Sequence, residues 1–468
     1  MPAANIHKYH LATVACAALA GTLLAGCFGS SSGGGGATEP VVDYFAGAPE
    51  GIVWGDPVTV TAFAPAQRSW EWVVREAGDQ DTWHSGARVN QIRFSAASCT
   101  SCHGSSAPGP AELGNLLVGA DADPIPGKVG FRDITVQAAY TNDKFFLKAS
   151  WETQQLRPGA SHDLLTLKEG VWVTTGFEKP NELVDATYDL YSAEDRISVM
   201  LLPTTTELLV EPNYWVETSG GQILESQASF HTVGCWATCH DDQAHMPGDT
   251  GASKYLLDVA DRAAGEFLDM WHFRGGRSAA VQSLTDGYVL ASRAGDSGSD
   301  VFSTNALDLE GNPTWMYDAA IMGFNALPRD AWWNNLENAP PLIIAGPNMN
   351  AAPFDPTVAF DDGAIIPRRV LVPVEAFADV DPPKTEGSRT DVKAYSKWTE
   401  DGTWTVIFER DLDTGDLEGD HFIALDVPYT IAFAVHDDHA AGRWHHVSFP
   451  VTLGSDATGA TIKAKLNP

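Results

Sequence analysis

Two stretches of this chain set a pair of thiols directly before an imidazole. The first reads Cys99-Thr100-Ser101-Cys102-His103, and the second Cys235-Trp236-Ala237-Thr238-Cys239-His240. Covalent haem attachment needs this order, because two thiols add to the porphyrin vinyl groups while the adjacent imidazole ligates iron from the same side. The second stretch carries one residue more between its thiols than the usual spacing. A disulfide there leaves His240 without a role, and a zinc site needs about four ligands where three are evident. Two covalent c-type haems are therefore expected, on Cys99 and Cys102 and on Cys235 and Cys239, with His103 and His240 as proximal ligands. Ser/His/Asp triads, phosphate-binding glycine loops and His-Glu-x-x-His metal motifs are not evident, so the two haem motifs are the only chemical constellation expected.

The remaining two of the six cysteines, Cys16 and Cys27, lie at the N-terminus, leaving no pair for a disulfide. Lys8 precedes an apolar run from Leu11 to Ala25, which reads as a targeting segment. It ends in Leu24-Ala25-Gly26-Cys27, which resembles a bacterial lipobox and implies lipidation of Cys27. Phe28, rather than Asp, follows Cys27 and points to the outer membrane. Gly29 to Thr38 is a Gly/Ser tether with the character of a flexible coil. The expected location is the cell envelope, lipid-anchored, facing the periplasm or at the cell surface. No second apolar run approaches the roughly 18 residues of a spanning helix. The formal charge of −32 disfavours nucleic acid as a partner and suits either a basic redox partner protein or simple solubility.

These signals divide the chain into a signal peptide (1–26), a tether (27–40), an N-terminal haem c module (41–130) and a larger β region (131–468). In the small module Val58 to Phe63 alternates as a strand, Ser69 to Glu76 reads as a short helix, and a polar loop carries His84. Bound haem would supply much of that module's core. In the larger region Ile134 to Tyr140 and Phe145 to Trp151 alternate on either side of Thr141-Asn142-Asp143, which is a hairpin signal. Further strands are expected at Ile197 to Leu202, Val370 to Val374, Val392 to Trp398, Trp404 to Phe408, Tyr429 to Val435 and Val447 to Leu453, with a helix at Tyr255 to Phe267. Residues 296–362, rich in Gly, Pro and Asn, read as a long surface excursion with little regular structure. The fold class is mainly β, a β-sandwich preceded by the small haem c module.

The β region resembles the haem-binding domain shared by the γ subunit of ethylbenzene dehydrogenase, related subunits of dimethyl-sulfoxide-reductase-type enzymes and some bacterial multihaem cytochromes. The stretches that carry the resemblance are Ile134 to Tyr140 with Phe145 to Trp151, Asp269-Met270-Trp271-His272-Phe273, Trp404 to Phe408 and Ala432-Phe433-Ala434-Val435-His436. It covers about residues 130–455 and implies a β-sandwich that carries electrons. Dehydrogenase subunits of that family bind b-type haem through Met and Lys. The present chain departs from them by carrying Cys235, Cys239 and His240.

The sixth iron ligands remain to be placed. No Met lies between Met1 and Met200, so the first haem has no local thioether; His84, another histidine or an open position are the alternatives. For the second haem the candidates are His231, His245, Met246, His272 and the C-terminal group His436, His439, His445 and His446. His272 is preferred to Met246. The six residue steps from His240 to Met246 span at most about 20 Å, which barely allows the chain to pass round a porphyrin edge, and Pro247-Gly248 is a turn signal. The expected function is electron transfer between envelope redox partners, with a haem subunit of a molybdenum oxidoreductase and a dihaem peroxidase as the alternatives.

Overall fold

The computed structural model describes residues 40–63, 103, 109, 111–112, 129–153, 164–175, 194–208, 229–238, 265–290, 292–328, 343–346, 349–379, 387–437 and 445–468. The fold is mainly β. Its framework is a sheet of fourteen strands: β1 (Pro40–Tyr44), β2 (Val58–Phe63), β3 (Phe131–Tyr140), β4 (Lys144–Glu152), β5 (Arg196–Pro203), β6 (Leu268–Arg274), β7 (Thr285–Val289), β8 (Arg293–Gly295), β9 (Lys393–Thr399), β10 (Thr403–Asp411), β11 (Tyr429–His436), β12 (His446–Ser448), β13 (Val451–Ser455) and β14 (Ile462–Leu466). Their order across the sheet is β1-β9-β10-β4-β3-β2-β12-β11-β5-β6-β7-β8, with β13 and β14 bridging β11 to β3.

The expected hairpin forms β3 and β4, with Ile134 opposite Trp151 and Tyr140 opposite Phe145. Strict alternation puts Ile134, Val136 and Ala138 on the same face as Phe145, Leu147, Ala149 and Trp151, all buried. That face turns inward. The sheet curls until its two halves meet, and Trp271 and Phe273 of β6 pack against Phe145, Phe408 and Trp404 across the core, with ring centroids 5.7–6.5 Å apart. The connection between β6 and β7 closes the sandwich at its edge. There Gln282, in a left-handed conformation, donates from Nε2 to the carbonyls of Tyr44 and Ala46, and its own carbonyl accepts from the amide of Ala394.

β1 and β2, assigned by sequence to the leading module, are built into this sheet: β1 pairs with β9, and β2 with β3 and β12. Residues 296–362 also differ from expectation. They hold short strands at Phe302–Thr304, Trp315–Tyr317, Leu327–Pro328, Ile343–Ile344 and Ala351–Pro353, and one turn of helix at Ala319–Met322. Val301, Tyr317 and Ile343 from this stretch join Leu165, Trp172 and Val370 in a second core beside the main one. This stretch thus contributes its described residues to a packed core. Its strands of two or three residues are too short to show alternation, and their pairing partners lie far away in sequence.

Candidate cofactor-binding face

The outward face of β2, β12, β11, β5 and β6 is organised in three rows. One row runs Phe63, Val447, Ala434, Ser198, His272 and Thr285, each residue directly opposite the next on the neighbouring strand. A second runs Ala432, Met200, Met270 and Gly287. A third runs His436, Arg196 and Arg274. Small side chains at Ala432, Ala434, Ser198 and Gly287 make the middle of this face shallow. Thioethers stand on one side of it, and imidazoles and guanidiniums on the other.

The start of the second Cys-Cys-His segment, through Thr238, lies on this face. The single turn α1 (Phe230–Val233) continues into a 3-10 turn, Gly234–Thr238. Ser229 and Thr232 close a capping box at its start. His231 fixes it to the sheet: Nδ1 lies 2.6 Å from Thr430 Oγ1 and Nε2 2.6 Å from the Thr206 carbonyl. Both ring nitrogens are thus engaged by protein groups, which makes His231 a structural residue and removes it as an iron ligand. Cys235 is buried, with Sγ 3.8 Å from the Phe433 carbonyl, and burial pushes its thiol up to about 12. Thr238 Oγ1 lies 3.7 Å from Met200 Sδ.

Gly234 makes this seating possible. Its φ of 58° with ψ of −135° is a conformation open essentially to glycine alone. A methyl group there would also lie 3.1 Å from Pro450 Cδ. Gly234→Ala is expected to lower covalent haem at the second motif and leave the first motif loaded. Haem per chain by pyridine haemochrome, with mass mapping of the peptides, reads this directly; full loading at both motifs would show that the seating of Cys235 is not required.

His103 of the first motif reaches the same neighbourhood. Its ring stacks on Phe449 with centroids 5.8 Å apart, and Phe449 packs on Phe63 at 4.8 Å. Phe449 packs on His103 of the first motif, and its neighbour Pro450 lies beside Gly234, the residue before the second.

His272, which is 3% exposed, sits next to the last residue of its row. Its Nδ1 lies 3.0 Å from Arg274 Nη2, and its Nε2 is buried without a hydrogen-bond partner. Burial, then Arg274, Arg293 and Arg196, hold the ring neutral by pushing its pKa well below the ordinary value. The ring stacks on His436 at 6.5 Å, and His436 stacks on His445 at 4.8 Å. Arg274 donates from Nη1 to Thr285 Oγ1, and Arg196 lies 3.4 Å from Glu194, which also pairs with Arg277. Glu194 thus faces three guanidiniums, Arg196, Arg274 and Arg277. Burial and Arg277 press Arg196 down to about 9. This positive pocket, inside a chain of charge −32, is a ready acceptor for carboxylates.

Sequence reasoning brought forward His272 and Cys235, and the structure sets both on this face. It passed over Met200, Arg196 and Arg274. The signal for Met200 lay in β5, where Ile197, Val199 and Leu201 alternate inward and leave Met200 pointing out. Cys27, His84, Cys99, Cys102, Cys239, His240, His245, Met246 and His439 lie outside the described residues, as do the helix expected at Ser69 to Glu76 and most of that at Tyr255 to Phe267.

A face of this kind fits a flat macrocycle: a shallow floor, an orphaned buried imidazole nitrogen, thioether sulfur and a cationic edge. The fold and face together define a β-sandwich protein with a buried imidazole, a thioether and guanidiniums gathered on the outer side of one half of its sheet. The family model described as ethylbenzene dehydrogenase matches residues 59–448, and the chain belongs to that family, in agreement with the resemblance carried by its strand motifs. It is also similar to cytochrome c-552 of Stutzerimonas stutzeri, with 23% identity over 410 residues that make up 87% of each chain.

Proposed function

We propose that this chain is a membrane-anchored dihaem c-type cytochrome that passes electrons between redox partners of the cell envelope. The observation that carries the reading is the seating of Cys235 against the Phe433 carbonyl of β11, with His103 of the other motif stacked on nearby Phe449. Membership of the ethylbenzene dehydrogenase family and likeness to a protein named as a cytochrome support it.

Haem, when bound, supplies a one-electron iron couple. The residues of the chain do the rest. Cys99, Cys102, Cys235 and Cys239 hold the two macrocycles, and His103 and His240 provide proximal imidazoles. Ala434 and Ser198 present small side chains beside the Cys235 turn, and the inward-curled sandwich beneath them excludes water. Arg196 and Arg274 offer partners to propionates. Cys27 carries the lipid, and the acidic surface draws a basic protein partner.

His272 is the preferred sixth ligand of the second haem, with Met200 as the competing group on the same face. Ligation through Nε2 requires the ring proton on Nδ1, where Arg274 now donates, so Arg274 must turn to another acceptor. Reduced protein is expected to be six-coordinate at both haems and slow to bind carbon monoxide. His272→Ala should turn the second haem high-spin and open to carbon monoxide. A low-spin spectrum unchanged in His272→Ala but lost in Met200→Ala would reassign the ligand to sulfur. Rapid peroxide reduction by the wild-type protein with an artificial donor would overturn electron transfer in favour of an enzyme.

A further inference from the structure

A second group of charged residues lies away from that face, where the loop after β10 meets the β7–β8 hairpin. Six aspartates converge there: Asp269, Asp286, Asp296, Asp391, Asp416 and Asp420. Arg410 answers the innermost of them. Its Nη1 lies 2.5 Å from Asp269 Oδ2 and 3.5 Å from Asp420 Oδ1. The outer three, Asp296, Asp416 and Asp420, bring one carboxylate oxygen each to within 4.8 Å of one another. Asp296 and Asp416 line a cleft of about 600 Å³ together with Tyr288, Ser297 and Thr414.

Two of the three carboxylates are already oriented. Asp416 accepts from Ser388 Oγ at 2.5 Å and from the amides of Glu418 and Gly419, and Asp420 accepts from Thr414 Oγ1 at 2.6 Å. Asp296 is different. It is 3% exposed, yet neither carboxylate oxygen has a hydrogen-bond partner. Arg389 passes close by, but its Nε donates to the Asp296 backbone carbonyl and its Nη1 to Asp300. Gly419 lets the loop lie directly on this carboxylate, since a methyl there would fall 2.0 Å from Asp296 Oδ1. A buried, unpaired carboxylate costs several kcal/mol unless something neutralises it.

We infer that Asp296, Asp416 and Asp420 form a binding site for a hard divalent cation, Ca²⁺ by preference, which clamps the loop Leu412–Asp420 against the β7–β8 hairpin. The donors are all oxygens and include no thiol or imidazole, which suits Ca²⁺ rather than zinc or copper. Water entering from the cleft completes the coordination shell. The site is independent of the haem reading, because none of its residues belongs to the outward face.

The test uses the full-length protein stripped with EGTA and dialysed against Ca²⁺ or Mg²⁺ alone. Bound metal is counted by elemental analysis, affinity is read by calorimetry, and thermal midpoints are compared. One Ca²⁺ per chain, with a midpoint several degrees higher than in EGTA, is expected. Asp296→Asn keeps the shape and should bind Ca²⁺ at least about tenfold more weakly, because affinity follows ligand charge. Its midpoint in EGTA should equal or exceed that of the wild type, since an unpaired buried charge is gone. Absence of bound Ca²⁺ and of a Ca²⁺-dependent shift in the wild type overturns the site. So does wild-type affinity in Asp296→Asn.

Discussion

The purified mature protein is expected to keep two haems per chain through acid–acetone extraction, and the double variant Cys235→Ser/Cys239→Ser to keep one. Cys235 is buried against β11, has no disulfide partner among the described residues, and carries a thiol that burial holds protonated. Such a thiol is a poor redox centre. Conversion to a thioether removes its titrating proton and suits its apolar setting. The chain makes a 3-10 turn from Gly234 to Thr238, which carries the first of the two thiols. One haem in the wild type would sink the reading of this motif. Haem that extracts from an otherwise folded protein would point instead to non-covalent binding on the same face.

Arg410→Met is expected to be the most destabilising single change in the sandwich, by about 3–5 kcal/mol. The Arg410 side chain is fully buried, projects from β10 into the core, and meets Asp269 of β6 on the opposite half of the curled sheet. Its other nitrogen donates to the His421 carbonyl, and its guanidinium lies 5.7 Å from the Trp271 ring centre. Methionine fills most of the space but leaves Asp269 and Asp420 without a counter-charge. The loss should appear as a lower thermal midpoint at neutral pH in EGTA. Adding Asp269→Asn to Arg410→Met should recover part of it, because the two changes act on one ion pair. If the double variant loses as much as the sum of the two singles, the pair is not coupled and Arg410 acts through packing.

Chemistry held by adjacent residues was legible without coordinates. Two thiols and an imidazole within five or six positions can be read as a motif whatever the fold, because they are adjacent in sequence, and they are the basis of the haem proposal. Strand alternation was legible for the same reason: Phe145 to Trp151, Trp404 to Phe408 and Tyr429 to Val435 declare one buried face through their own period of two. The family likeness rested on those strands in order, and the match over residues 59–448 agrees with it.

Relations between strands were decided only by tertiary structure. Nothing in the chain near His231 says that Thr430 and the Thr206 carbonyl will take both its nitrogens, or near His272 that Arg274 will take one and leave the other. Register decides these outcomes, since a shift of one residue would send every side chain of a strand to the opposite face. The same holds for Met200 beside Thr238 and for the aspartates from Asp269 to Asp420, which more than a hundred residues of intervening chain separate in sequence and sheet pairing brings together. Residues 296–362 show the limit from the other side: their strands are too short to carry a period, and only burial against Trp172 and its neighbours makes them part of the core.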